Sequence, residues 1–372
     1  MLHRPGRFDR LREIRRLDPV RDSHRIYRTT ALWEFPFDVR MGLLLAFWRT
    51  FAVPSIAELL AATGETTQRT ERRADDTGIL MYTLIEHGLD HPLGRAATRR
   101  LNQLHRRYAI DNDDYRYVLG TFVFVGLRWL DRYGWRPLCC HERTAVYHFY
   151  AELGRRLRIA DIPPDLDSYA KWYDAFEAER FAPSPAARQL ITATKSLLAD
   201  LPRPLVPVGG RVADALLDPP LREAVGVSPP PWWARALLAG GLAGRAAYLR
   251  HGATPRSRQY LEGGVRAKSY PAGYDIATVG PPDHRPGPAR ERTELRVEVV
   301  HLLVGRGLLM LSGRRTGGPL AIGDMVSIRT PGGATVRTTI RVVELHGRPG
   351  TTTVGIEPGV GEIPAGSVLH TG

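Results

Sequence analysis

Cysteine is almost missing from this sequence: its 372 residues include two, Cys139 and Cys140, adjacent in the chain. So small and so placed a set can build neither a disulfide framework nor a cysteine-rich zinc site, and a reducing compartment fits it. Lysine is nearly as scarce, since 49 of the 52 basic residues are arginine and the exceptions are Lys171, Lys195 and Lys268. Long apolar runs are missing too. Met41 to Trp48 and Ala236 to Leu242 are the longest, and both stop well short of the ~20 residues a spanning helix needs. Met1 to Arg16 carries six arginines and no apolar run of leader length. Neither secretion nor twin-arginine export is indicated, and the expected location is the cytoplasm.

Many catalytic signatures are also absent. There is no GxxxxGK[ST] to cradle phosphates and no GxSxG nucleophile elbow. Gly305-Arg306-Gly307 lacks the third glycine of a dinucleotide fingerprint and has no helix after it. His141-Glu142 is followed by Arg143, Thr144 and Ala145, without the second histidine of a zinc-protease helix. Glu298 and His301 have the acid-x-x-His spacing of di-iron helices but fall in an expected strand, where they face opposite ways. Cys139-Cys140-His141 is not CxxCH, so covalent haem attachment is excluded.

What is present is an ordinary globular composition, 43% apolar and 24% charged, with a net charge of +13. Disorder and fibrous architectures are ruled out, and the length suggests two domains. The positive balance raises nucleic acid and anionic membrane surfaces as partners, but the arginines are scattered without a dense run. The first reading is therefore a solvated surface, and nucleic acid is not expected. Residues 294–372 hold eight arginines against six acids, which places most of the excess upstream.

Hydrophobic spacing divides the chain. From Ala31 to about Arg250 apolar residues recur at three and four positions, the helical period. Val279 to Arg292 then contains four prolines and two glycines, a linker composition. From Glu294 the chain breaks into short β-branched runs: Leu295 to Val304, Leu308 to Ser312, Met325 to Thr330, Thr335 to Leu345, Thr351 to Ile356 and Val368 to His370. The expected architecture is a large all-α domain over residues 1–280, a linker over 281–293 and a small all-β barrel over 294–372. Pro229-Pro230-Pro231-Trp232-Trp233 introduces a glycine- and alanine-rich helix to Leu249, which reads either as a packed core helix or as an interfacial membrane contact.

One constellation in the helical part carries chemistry. On a helix expected from Pro92 to Ile110, Ala97, Leu101, Leu104, His105 and Tyr108 share a face. His105 is then either a hydrogen-bonded core histidine or the neutral imidazole that an iron porphyrin takes as its ligand. On the helix before it, about Thr67 to Glu86, Arg73 and Thr77 extend the apolar stripe of Leu80 and Leu84. A buried arginine needs an anionic partner, either Asp38, Asp113 or Glu142 or an acidic group of a bound cofactor. The helix after Asn112 is apolar almost all round and should be central.

These residues resemble a family. Arg73-x-x-x-Thr77, Leu101-Asn-Gln-Leu-His105 and Asn112-Asp-Asp-Tyr115-Arg-Tyr-Val-Leu are similar, in order and spacing, to the MpaB-like and latex-clearing-protein (rubber oxygenase) catalytic domain. Trp33-Glu34-Phe35-Pro36, Leu45-Ala46-Phe47-Trp48-Arg49, Tyr133-Gly134-Trp135-Arg136 and Tyr270-Pro271-Ala272-Gly273-Tyr274 extend the resemblance over roughly residues 18–280. It implies an all-helical domain holding one non-covalent haem b, with His105 as iron ligand and Arg73 and Thr77 beside the haem, both as cofactor-binding and as catalytic residues. It further implies an oxidoreductase that uses O2 on an apolar, isoprenoid-like substrate, by oxidative cleavage of a carbon–carbon double bond or a related oxygenation. Some rubber-cleaving members have a lysine between the arginine and the threonine, where this chain has Asp76, so the far side of the iron is expected to differ. Glu58 is the nearest counterpart of the family's proposed base.

The β module has a resemblance of its own. Val304-Gly305-Arg306-Gly307, Ser312-Gly313-Arg314, Gly318-Pro319-Leu320-Ala321-Ile322-Gly323-Asp324 and Ile363-Pro364-Ala365-Gly366 look like the second, β-barrel domain of elongation factor Tu-type GTPases. Without a GTPase domain it implies an accessory barrel. The competing reading for the whole chain is a non-catalytic protein that carries haem or another apolar ligand and docks through the barrel. RNA binding lacks the aromatic and basic strand motif of a stacking surface.

Overall fold

A computed structural model describes residues 6–195, 197, 206–262, 264–265, 267–281, 293–303, 308–317, 320, 324–344, 351–356 and 363–371. The chain forms two compact units, divided chiefly after Pro281. Of the expected linker, residues 281–293, residues 282–292 lie outside the described residues.

The first unit is helical. It opens with α1 (Asp9–Ile14) and α2 (Ser23–Thr29), which runs into a π-helical turn, Thr30–Glu34, followed by α3 (Pro36–Thr50), α4 (Pro54–Thr63) and α5 (Glu65–Gln68). Then come α6 (Thr70–His87), α7 (Pro92–His105), α8 (Asn112–Tyr133), α9 (Cys140–Arg156), α10 (Leu166–Arg180) and α11 (Pro185–Lys195). Three further helices, α12 (Val206–Asp214), α13 (Pro219–Ala224) and α14 (Trp232–His251), complete it.

Local chemistry sets these boundaries. Proline begins α3, α4, α7 and α13, where its missing N–H costs nothing. The expected helix from Thr67 is interrupted at Arg69, whose φ of −133° and ψ of 46° separate α5 from α6. The helix expected to reach Ile110 ends at His105, because Asp111 caps the next one by accepting bonds from the Asp113 and Asp114 amides.

Helix α8 is central, with Tyr117, Leu119, Val123, Phe124, Leu127 and Trp129 buried. It crosses α3 where two glycines meet: a Cβ added to Gly42 would stand 3.0 Å from the Gly126 Cα. Three buried ionic groups tie the bundle together. Arg136 bonds both Glu34 and Glu142, Arg49 holds Glu177 and Asp218, and Asp38 accepts from Arg245 and from the Trp129 indole. No single described helix is long and apolar enough to cross a membrane; α3 and α4 together have the length and composition but meet at 98°.

The second unit holds, among the described residues, β1 (Glu294–Leu303), β2 (Leu308–Thr316), β3 (Met325–Arg329), β4 (Thr335–Thr339), β5 (Val342–Glu344), β6 (Thr352–Ile356) and β7 (Val368–Thr371). All pairs are antiparallel, in the order β4-β3-β7-β1-β2-β6-β5. The two ends of that order are consecutive in sequence, joined by Ile340 and Arg341 alone. A flat sheet of this width would put them about 29 Å apart, whereas that link spans at most about 11 Å. The sheet is therefore rolled into a barrel. Its core holds Leu295, Val297, Leu311, Val326, Ile328, Val354, Ile356 and Leu369. Of the glycine segments behind the elongation-factor resemblance, residues 304–307, 318–319 and 321–323 lie outside the described residues. Gly313 lies within β2, and Gly366 takes a positive φ of 89° just before β7.

Candidate active site

Arg73 and Thr77 stand one turn apart on α6, and the guanidinium donates to the Thr77 hydroxyl while lying 5.6 Å over the Phe47 ring of α3. The Thr77 hydroxyl in turn donates to the Arg73 carbonyl at 3.0 Å. The three carboxylates considered for Arg73 are engaged elsewhere: Asp38 with Arg245, Asp113 with Arg116 and Glu142 with Arg136.

His105 ends α7, half-buried rather than deep in the core. Burial first, and then the nearby Arg73 charge, push its pKa down to about 4. The ring is neutral at ordinary pH. Its Nδ1 meets the Tyr115 hydroxyl, with the two rings edge to face at 5.0 Å. Burial raises the Tyr115 phenol well above its ordinary range, so it stays protonated. Either atom can donate in such a pair. When Nδ1 donates to the phenolic oxygen, Nε2 keeps its lone pair for a ligand.

These contacts bring α3, α6, α7 and α8 to one place. Half-buried apolar residues follow on the same helices: Leu44 and Phe47 on α3, Leu101 and Leu104 on α7, Val118 and Phe122 on α8. Tyr115, Val118 and Phe122 follow the helical period along α8, so its half-buried side is one face. A neutral imidazole, an arginine and apolar walls are what a flat apolar cofactor with acidic substituents needs, and the residues present fit such a group. Among the described residues, no three His, Cys, Asp or Glu side chains group to hold a metal ion. Two cavities lie elsewhere, one of about 230 Å³ beside Arg136 and Arg250 and an open groove of about 780 Å³ beside Arg188.

Asp76 is buried and accepts a hydrogen bond from the Tyr270 hydroxyl, which accounts for an acid at this position. The chain around Tyr270 is strapped to α6 and α7. The Ser269 amide donates to Asp75 at 2.8 Å, and Arg100, itself buried, donates to the carbonyls of Val279 and Pro281. Glu58 is exposed on α4. Sequence reasoning named Arg73, Thr77 and His105 but not the Tyr115 contact to His105 or the strap. The signals were an aromatic beginning the next helix ten residues on and the Tyr270-Pro-Ala-Gly-Tyr274 string.

The fold and this site define a helical domain with a neutral, half-buried histidine at the edge of an apolar core. The chain belongs to the family described as ER-bound oxygenase mpaB/B'/rubber oxygenase, catalytic domain, whose profile matches residues 33–250. It is 29% identical over 251 residues to ER-bound oxygenase mpaB' of Penicillium brevicompactum, covering 62% of this chain and 59% of that protein. It is 28% identical over 223 residues to ER-bound oxygenase mpaB of Penicillium roqueforti, covering 55% of this chain and 75% of that protein. The chain thus spans under two thirds of the mpaB' relative.

Proposed function

We propose that the helical unit is a haem b-dependent oxygenase that uses O2 on an apolar, isoprenoid-like substrate, with oxidative cleavage of a carbon–carbon double bond as the specific reaction. The observation that carries this reading is the neutral imidazole of His105, engaged at Nδ1 by Tyr115 and flanked by Arg73 amid half-buried apolar side chains. One imidazole suffices for haem, because the porphyrin brings the other iron ligands. When bound, the haem supplies the redox chemistry that activates O2.

The chain's own residues have separable tasks. His105 presents Nε2 to the iron, and Tyr115 fixes the ring's tautomer and orientation. Arg73 offers a cation to an acidic group of the cofactor, and Thr77 holds the guanidinium in place. Leu101, Leu104, Val118 and Phe122 exclude water and accept an apolar substrate. Cleavage of a double bond by O2 places one oxygen atom on each carbon, so the products are two carbonyl compounds and no external reductant is consumed.

The test is O2 uptake by the haem-loaded chain with unsaturated isoprenoids of increasing length, with carbonyl products identified by mass spectrometry. Uptake matched by carbonyl formation is expected. Haem retention without uptake on any such substrate favours the non-catalytic carrier.

A further inference from the structure

Helix α14 presents an unusual surface. Its inner side, with Ala234, Leu238, Leu242 and Leu249, rests on the bundle, and Arg245 pairs with Asp38. Its outer side is exposed and apolar: Trp232 is 75% exposed, Leu237 55% and Tyr248 65%, with alanine and glycine between them. Exposed Phe37 lies beside Arg245, 4.2 Å from its guanidinium, and α12, which packs on α14, exposes Val208. Scattered exposed hydrophobics need no explanation, but a continuous patch marks a contact surface.

Charge decides what contacts it. Trp232–His251 contains no acidic residue, and Arg235, Arg250 and His251 are exposed along it. At its C-terminal end Arg7 donates to the carbonyls of Leu249 and Ala253, which adds a further arginine there, whereas Arg10 is paired with Glu34. A second copy of this chain packed through the same helix would bring arginine against arginine with no acid on α14 to meet them. An anionic lipid surface offers the opposite charge and takes tryptophan and tyrosine at its headgroup level.

We propose that the outer face of α14 seats this protein on a bilayer surface containing anionic phospholipid, the helix lying in the interface plane. The helix is about 30 Å long, and aromatic and aliphatic side chains along it would enter the headgroup boundary while the arginines engage lipid phosphates and carboxylates. This stands apart from the haem reading, since it uses none of that site's residues. It would place an enzyme of apolar substrates where such molecules dissolve.

The experiment is cosedimentation of the full chain with vesicles of phosphatidylcholine alone and of phosphatidylcholine with about a third phosphatidylserine. Binding is expected to the mixed vesicles, with a blue shift of tryptophan emission and weakening as salt rises. The double variant W232S/L237S, both positions exposed, should keep its melting temperature and bind at least tenfold more weakly. Equal binding by the folded variant, or no binding of the parent chain to mixed vesicles, overturns the proposal. Concentration-dependent dimerisation abolished by W232S/L237S, without vesicle binding, assigns the face to a second copy instead.

Discussion

The Tyr115 hydroxyl meets Nδ1 of His105 across the turn between α7 and α8. Both groups lie in a setting that penalises charge: the imidazole is held at about pKa 4 and the phenol is raised. With His105 as the proposed iron ligand, a neutral phenol would leave the imidazole less electron-rich than a carboxylate would, so Tyr115 would tune as well as orient it. Replacing Tyr115 with phenylalanine should keep haem binding but shift the reduction potential and the iron–histidine stretching frequency. Unchanged values would reduce Tyr115 to packing.

Arg73 is expected to matter to the cofactor more than to the fold, because its guanidinium lies at the half-buried edge beside His105, close enough to lower that imidazole's pKa. Arg73→Ala is expected to weaken haem retention about tenfold or more, a charge-assisted contact being worth roughly 1.5–3 kcal/mol, with a small change in melting temperature. A large loss of stability with unaltered haem affinity would instead mark a structural role.

Acid should destabilise the protein in a defined window. The folded-state pKa of His105 lies near 4, below its ordinary 6.5, so between those values the unfolded chain binds a proton that the folded one does not. Stability is then retained above about pH 6.5 and falls as pH drops toward 4. Burial lowers His24 and His148 in the same direction. Denaturation of the haem-free chain at several pH values should show this slope, and His105→Asn should make it shallower.

How much of this was legible in the sequence follows from the range of each interaction. The change from helical to alternating period announced the two units, because side-chain periodicity is local. The run from Thr335 to Leu345 read as one strand but is two, since Ile340 and Arg341 turn the chain between the ends of a rolled sheet. His105 was visible on its helix face, whereas its partner was not: Tyr115 belongs to a helix apolar almost all round, where nothing set it apart from its apolar neighbours. Arg73 seemed to want Asp38, Asp113 or Glu142 or an acidic group of a cofactor, but tertiary structure gives those three acids to Arg245, Arg116 and Arg136.

The strap sets where the helical unit can be cut. Arg100 donates to the carbonyls of Val279 and Pro281, and Tyr270 to Asp76. A chain ending just after Pro281 should still fold and take up haem, with the barrel acting as an accessory. One ending before Ala267 should lose the strap's bonds to α6 and α7 and retain haem poorly. Loss of haem by the longer version, while helical circular dichroism persists, would show that the β unit completes the cofactor site.

The most direct test of the central claim is haem titration of the full chain and of His105→Ala, followed by absorption spectroscopy. The parent chain should saturate with one equivalent and show a Soret band of histidine-ligated haem, while the variant keeps its helical circular dichroism and loses that band. A variant with the same haem content and spectrum would contradict the assignment of His105 as the iron ligand.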